Sequence, residues 1–215
     1  MVNDPALGRI SSANLTSGKG GIAASYSAED WVRSIRHGVG TDGKPLLIMP
    51  SAEFVHIGRE DLAALLAYIK QLPPVDNELP EQKLGPVARV IMLSGGLLQA
   101  EEVDHTLLLP ETPMPGVTVE YGKYLATTCL GCHGEDYTGG PVAGPPGTPP
   151  ASNLTTLKDW SEANFFRAVQ EGVRPTGDTL HEFMPRWTPL EDDEVKAIWT
   201  FLQSLESVEN EFAQK

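Results

Sequence analysis

The sequence predicts an all-α chain: a small helical domain over residues 119–208, preceded by a partial copy of the same design over residues 1–75. Two observations predict it. Apolar residues recur at three- and four-residue spacing in segments flanked by helix start and stop signals, and residues 8–75 can be laid over 147–208 with matching landmarks. In that overlay Asn14-Leu15-Thr16 falls on Asn153-Leu154-Thr155. Ser27 to Val32, then Ile35 and Gly38-Val39, fall on Ser161 to Phe166, then Val169 and Gly172-Val173. Met49-Pro50 falls on Met184-Pro185, and Leu62, Leu65, Leu66, Tyr68, Ile69 and Leu72 fall on Val195, Ile198, Trp199, Phe201, Leu202 and Leu205. The rest divides into a linker at 76–118 and a tail at 209–215.

Taken in order, residues 1–26 read as loop. Ser27 has the chemistry of an N-cap with Asp30 in the first turn, and the helix it starts ends at Gly38. Residues 40–54 are loop around Met49, and a second helix runs from Arg59 to Leu72, stopped by Pro73-Pro74. In the linker, Val87 to Leu93 is a short strand or a buried connecting piece, which its period does not separate. His105 stands among Glu101, Glu102 and Asp104, the residue types of a metal cluster, although a solvated acidic turn is the more economical reading.

The second domain opens with a helix at 119–131, where Gly122 would let another helix cross closely. A Gly/Pro loop follows at 139–150, then a helix from Ser161 to Gly172. The last helix starts at a capping box of Thr188, Pro189 and Glu191. Its stripe of Val195, Ile198, Trp199, Leu202 and Leu205 is expected to cross the helix before Cys129, with residues 207–215 polar and frayed.

Between the first two helices of this domain lies Cys129-Leu130-Gly131-Cys132-His133, which holds both cysteines of the chain. Two thiols on one turn can each add to a vinyl group of one porphyrin, and the adjacent imidazole then lies under the iron. A redox Cys pair or half of a zinc site shares the spacing, but no second Cys pair exists and neither accounts for His133. The motif therefore predicts one haem c, attached through Cys129 and Cys132 and ligated by His133. A carbonyl of the Gly/Pro loop, with Pro141 as candidate, would accept the Nδ1 hydrogen of His133 and orient the ring.

With that motif, and with Met184-Pro185 in a loop before a terminal amphipathic helix, residues 119–208 resemble a class I cytochrome c domain. The whole chain resembles bacterial two-domain, dihaem cytochromes whose first domain here lacks its attachment segment. The resemblance implies that Met184 is the sixth iron ligand, with His181 as the competitor three residues away. His/Met ligation and burial by Phe165, Phe166, Phe183 and Trp199 would both raise the potential. Trp160 and Arg174, and behind them Arg186, are candidates for the propionates.

The first copy begins at the equivalent of about residue 140, so the apolar stripe of its 59–72 helix has no upstream partner helix. That stripe should stay exposed unless residues 83–104 or another molecule cover it. Truncation of a two-haem protein is favoured over a naturally haemless domain. The upstream DNA is then expected to encode an export signal and a second Cys-x-x-Cys-His.

Net charge is -13, and residues 1–75 are neutral with seven basic and seven acidic groups, so the acidic excess lies in the haem half. Such a surface disfavours nucleic acid and anionic lipid. No apolar run is long enough for a membrane span, and Met1-Val2-Asn3-Asp4-Pro5 does not resemble a signal peptide. Covalent haem attachment nevertheless implies a periplasmic or other extracytoplasmic site, reached through an export signal or anchor in a missing N-terminal segment.

A haem with both axial positions filled has no site for substrate. The expected function is electron transfer rather than catalysis, as a periplasmic carrier or as the cytochrome subunit of a larger oxidoreductase. Its partners would be redox proteins such as a dehydrogenase or terminal oxidase. The alternative is a haem enzyme or sensor with an open sixth position, such as a peroxidase or gas-binding protein.

Overall fold

The structure, a computed structural model, describes residues 2–93, 98–142 and 147–213. The chain divides into two compact units, Met1–Thr112 and Pro113–Lys215. The stretch 76–118, expected as a linker, therefore divides too: most of it belongs to the first unit, and only its end leads into the second.

The first unit opens with a feature that sequence reading misses. Strands β1 (Val2–Asp4) and β2 (Gly8–Ile10) pair antiparallel and are joined at β2 by β3 (Lys83–Leu84). Asp4 Oδ1 accepts from the backbone amides of Ala6 and Leu7 and closes the turn. Helix α1 (Ala28–His37) begins as expected, with Ser27 Oγ accepting from the Asp30 amide and the Asp30 carboxylate accepting from the Ser27 amide. Ser27→Ala is expected to cost the first unit about 1 kcal/mol, read as a lower denaturant midpoint.

A four-residue helix α2 (Ser51–Phe54) and α3 (Arg59–Gln71) follow. Trp31 and Ile35 of α1 pack on Leu62 and Ile69 of α3, with Met49, Phe54, Leu65 and Leu66 around them. Val87 to Leu93, open between strand and connector in the sequence, lies in helix α4 (Pro86–Leu93), of which only Ala88 is buried. Proline opens this helix, where its missing amide costs nothing.

The second unit is held by a helix crossing. Helix α5 (Val119–Ala126) continues through a 3₁₀ turn into the short α6 (Leu130–His133), so the motif lies on the end of a nearly continuous helical run. Helix α7 (Glu162–Phe166) is capped by Ser161 and Asn164, and the following turn, Arg167–Glu171, widens to π spacing before Gly172 ends it in the left-handed region. The final helix α8 (Asp192–Ser204) starts three residues later than its capping signal predicts. Thr188 and Pro189 sit in a turn closed by the Leu190 amide on the Trp187 carbonyl, and Leu190 packs against the core. Glu194 then receives the Glu191 amide at the new start.

Helices α5 and α8 cross as predicted, backbone to backbone, at Gly122. A Cβ there would lie 1.9 Å from the Ala197 carbonyl oxygen. Ala126, Val195, Ile198, Phe201 and Leu202 form the core of this crossing together with Tyr137, Leu157, Phe165 and Val169.

The internal repeat holds at the level of single hydrogen bonds. Asn14 Nδ2 donates to the Val75 carbonyl at 2.8 Å, and Asn153 Nδ2 to the Val208 carbonyl at 2.7 Å. In each case the Asn Oδ1 accepts from the amide and hydroxyl of the Thr two residues on, and that hydroxyl accepts from the amide of the same distant Val. The loops after α1 and α7 also match: Leu46 donates to Gly38 and Leu180 to Gly172, while Val39 bridges Pro45 and Val173 bridges Thr179. The tail at 209–215, expected to fray, is tied down by this clasp as far as Ala213, with the Asn153 amide on the Phe212 carbonyl and Asn210 Nδ2 on that of Thr138.

Candidate functional site

Most of the side chains singled out by the sequence for the site line one cavity of about 420 Å³ in the second unit. Cys129, Cys132 and His133 contribute from the α5–α6 run, Trp160 and Phe165 from the approach to α7 and its interior, and Phe183 and Met184 from the loop before α8. Helical geometry makes the first group possible: three residues of separation put both thiols on one side, with His133 next in line.

His133 is buried, and its Nδ1 lies 2.7 Å from the carbonyl oxygen of Ser152. Nδ1–H donates there, which leaves Nε2 as the nitrogen available to an iron. Burial holds the imidazole below its ordinary pKa, with the Ser152 hydrogen bond partly opposing that shift. The neutral ring is the form a metal ligand requires. The orienting carbonyl is thus Ser152, not Pro141. Gly140 and Ala151 exchange both backbone hydrogen bonds at the neck of the Gly/Pro loop, and this bridge brings Ser152 beside the ring while Pro141 lies exposed beyond it. Residues 143–146 of that loop, which was expected to wrap a haem edge, lie outside the described residues.

The cavity fits a haem in two further respects. Its wall is mostly apolar, with Leu154, Leu157, Val169, Trp187, Ile198 and Leu202 among the contributors. Arg174 also lines it, and among the described residues its buried Nε has no hydrogen-bond partner, the donor that a propionate carboxylate would satisfy. Arg186 is placed otherwise: its guanidinium donates to the carbonyls of Met184 and Leu180 and lies over Gly172. It anchors the Met184 loop and does not line the cavity.

Phe166 and Trp199, expected beside the macrocycle, pack behind the wall in the core, because the α7 and α8 stripes are wider than the cavity. Trp187 and Leu180 were missed. Their only sequence signal was proximity to Met184. Both rival sixth ligands line the cavity; Met184 is half-buried, whereas His181 is exposed, stacks on Phe183 and accepts the Phe183 amide at Nδ1.

A helical domain that offers two thiols, an oriented imidazole and an apolar slot in one place is a c-type haem domain. Residues 119–206 match the cytochrome c family, and the C-terminal part of the chain is a cytochrome c domain. Among similar proteins, the gluconate 2-dehydrogenase cytochrome c subunit of Pantoea cypripedii is 36% identical over 97 residues, covering 39% of this chain and 22% of that protein. The fructose dehydrogenase cytochrome subunit of Gluconobacter japonicus is 25% identical over 228 residues, 93% of this chain and 45% of that protein. A dihaem cytochrome c-type protein of Cereibacter sphaeroides is 26% identical over 209 residues, 86% of this chain and 67% of that protein. The chain thus spans between about a fifth and two thirds of the length of these relatives.

Proposed function

We propose that this chain is an electron-transfer protein, in which a haem held through Cys129 and Cys132 is ligated by His133 and by the thioether of Met184. The observation that carries this reading is the convergence of those four side chains on one apolar cavity. Bound there, the haem would supply one-electron chemistry. The protein's part is to hold the His133 ring through Ser152, to fix the Met184 loop through Arg186, and to neutralise a propionate at Arg174. A thioether ligand and a dry wall both favour the ferrous state, so the potential should be high for a haem.

The relatives' names support a dehydrogenase as electron donor, with the chain acting as a cytochrome subunit, and covalent haem attachment supports an extracytoplasmic compartment. Among the described residues no helix is long and apolar enough to cross a membrane.

The first unit supports a parent with two haem domains. In the second unit Ala197 and Phe201 of α8 are buried under α5; the matching positions of α3, Ala64 and Tyr68, are exposed, Tyr68 to 64%. Residues 83–93 and 98–104 do not cover them. Their exposure supports a helix like α5 seated on this face, as α5 in the second unit leads directly into the attachment motif. Sequencing upstream of codon 1 tests this, and an in-frame stop just before it would remove the idea.

Carbon monoxide tests the ligation. The ferrous wild type is expected not to bind it and to show a Met-to-iron charge-transfer absorption when oxidised. Met184→Ala is expected to bind it rapidly and to lower the midpoint potential by on the order of 0.1 V. Rapid, complete binding by the wild type would instead assign an open-site haem enzyme or sensor.

A further inference from the structure

Two imidazoles of the first unit meet in a place that electron transfer does not use. His37 ends α1 and is half-buried; His105 is exposed in the turn after the 3₁₀ segment Gln99–Glu101. Their Nδ1 atoms are 3.3 Å apart, their ring centres 5.3 Å apart, and the ring planes are inclined by 46°. Two nitrogens bound to one tetrahedral cation at about 2.0–2.1 Å lie about 3.3 Å from each other. With both lone pairs aimed at that cation, the ring centres fall about 5.2 Å apart. The pair also meets the geometry of a hydrogen bond, one Nδ1–H donating to the other ring's Nδ1, so a cation bound here takes the place of that proton.

We propose that His37 and His105 form a binding site for a zinc-type divalent cation, ligated through both Nδ1 atoms with water in the remaining positions. Among the described residues no group of three or more His, Cys, Asp or Glu side chains could hold a metal, so the protein supplies two ligands here. Both ligands stand on fixed backbone. Gly38 ends α1 in the left-handed region with its amide on the Arg33 carbonyl. On the other side, Asp104 Oδ1 accepts from the amide and hydroxyl of Thr106, the Leu107 amide donates to the Asp104 carbonyl, and Val103 and Ala100 are buried. Arg36 ties the two sides together, donating to the carbonyls of Val55 and Leu108. The bite is therefore set before any cation arrives.

The surroundings favour a cation as well. The C-terminal end of α1 carries the negative end of its dipole, and Glu101, Glu102 and Asp104 lie in the same turn as His105. Arg36 opposes them, but its guanidinium is buried and directed at carbonyls. The site is particular to the first unit: in the internal overlay Glu171 stands where His37 does.

Calorimetric titration of the full-length, haem-loaded protein with Zn²⁺ alone, in a non-chelating buffer near pH 7.5, tests this. One equivalent is expected to bind, with affinity at least tenfold weaker in His37→Ala and in His105→Ala. His56→Ala, which removes a histidine outside both this pair and the haem cavity, should bind as the wild type does. His105 is exposed, so His105→Gln keeps the fold and serves as the second check; its unfolding midpoint should be unchanged while Zn²⁺ affinity falls. Absence of binding at 100-fold excess of Zn²⁺ over protein overturns the proposal. So does wild-type affinity in either the His37 or the His105 variant, or loss of binding in the His56 variant.

Discussion

Gly122→Val is expected to destabilise the second unit by about 3 kcal/mol or more, and to lower the midpoint of its thermal unfolding accordingly. At this point α5 and α8 touch backbone to backbone. A Cβ on residue 122 would stand 1.9 Å from the Ala197 carbonyl oxygen, 2.5 Å from its carbon and 2.9 Å from the Phe201 Cβ. None of these is the free end of a flexible side chain, so the helices themselves must separate. Separation reopens the contacts of Ala126, Val195, Ile198 and Phe201, which belong to the core beside the haem cavity. The readout is far-UV circular dichroism together with the haem absorbance during heating. An unchanged midpoint would mean that the two helices do not cross at this residue.

Asn153→Ala is the second large effect, expected at about 3 kcal/mol. Asn153 is fully buried, and its amide group makes four hydrogen bonds: two donated to the Val208 carbonyl and Asn210 Oδ1, and two accepted from the amide and hydroxyl of Thr155. Truncation leaves the Thr155 amide and the Val208 carbonyl without these partners inside the fold, and the cost of an unpaired buried group exceeds the gain of a typical hydrogen bond. The C-terminal segment that these bonds hold should also become accessible to protease. Asn14→Ala removes the matching clasp of the first unit and provides the internal comparison. If Asn153→Ala left both the denaturant midpoint and the proteolysis pattern of residues 205–213 unchanged, the clasp would be ornamental.

The parts of this molecule that were legible in the sequence are those written in local chemistry. Ser27 with Asp30 and Ser161 with Asn164 announce helix starts because a cap satisfies amides within three residues. The Cys129 to His133 motif is legible because haem attachment needs both thiols and the imidazole on one turn. Gly122 could be read as a crossing point since only a missing side chain permits such an approach. Less visible were features fixed by distant partners. Strands β1, β2 and β3 are two or three residues long, too short to show alternation, and β3 lies more than seventy residues beyond β2. The tail looked polar and loose, whereas its backbone carbonyls are the acceptors for Asn153. The choice of Ser152 over Pro141 depends on the Gly140–Ala151 bridge, which no spacing rule encodes. Phe166 and Trp199 share the apolar character of Phe165, and only the packing separates wall from core.

The hydrogen bond from His133 to the Ser152 carbonyl has a further consequence for speed. Each time a single electron arrives or departs, any ligand or dipole that must swing to a new position adds to the barrier. The imidazole is already locked by a backbone oxygen that carries no titratable proton and lies at the closed neck of a loop. Its orientation is thus the same for both charges of the centre, and fixed dipoles of this kind require no rearrangement at the moment of reaction. A haem held here would find little reorganisation to make on the His133 side, leaving distance to the partner and the difference in potential to govern the rate.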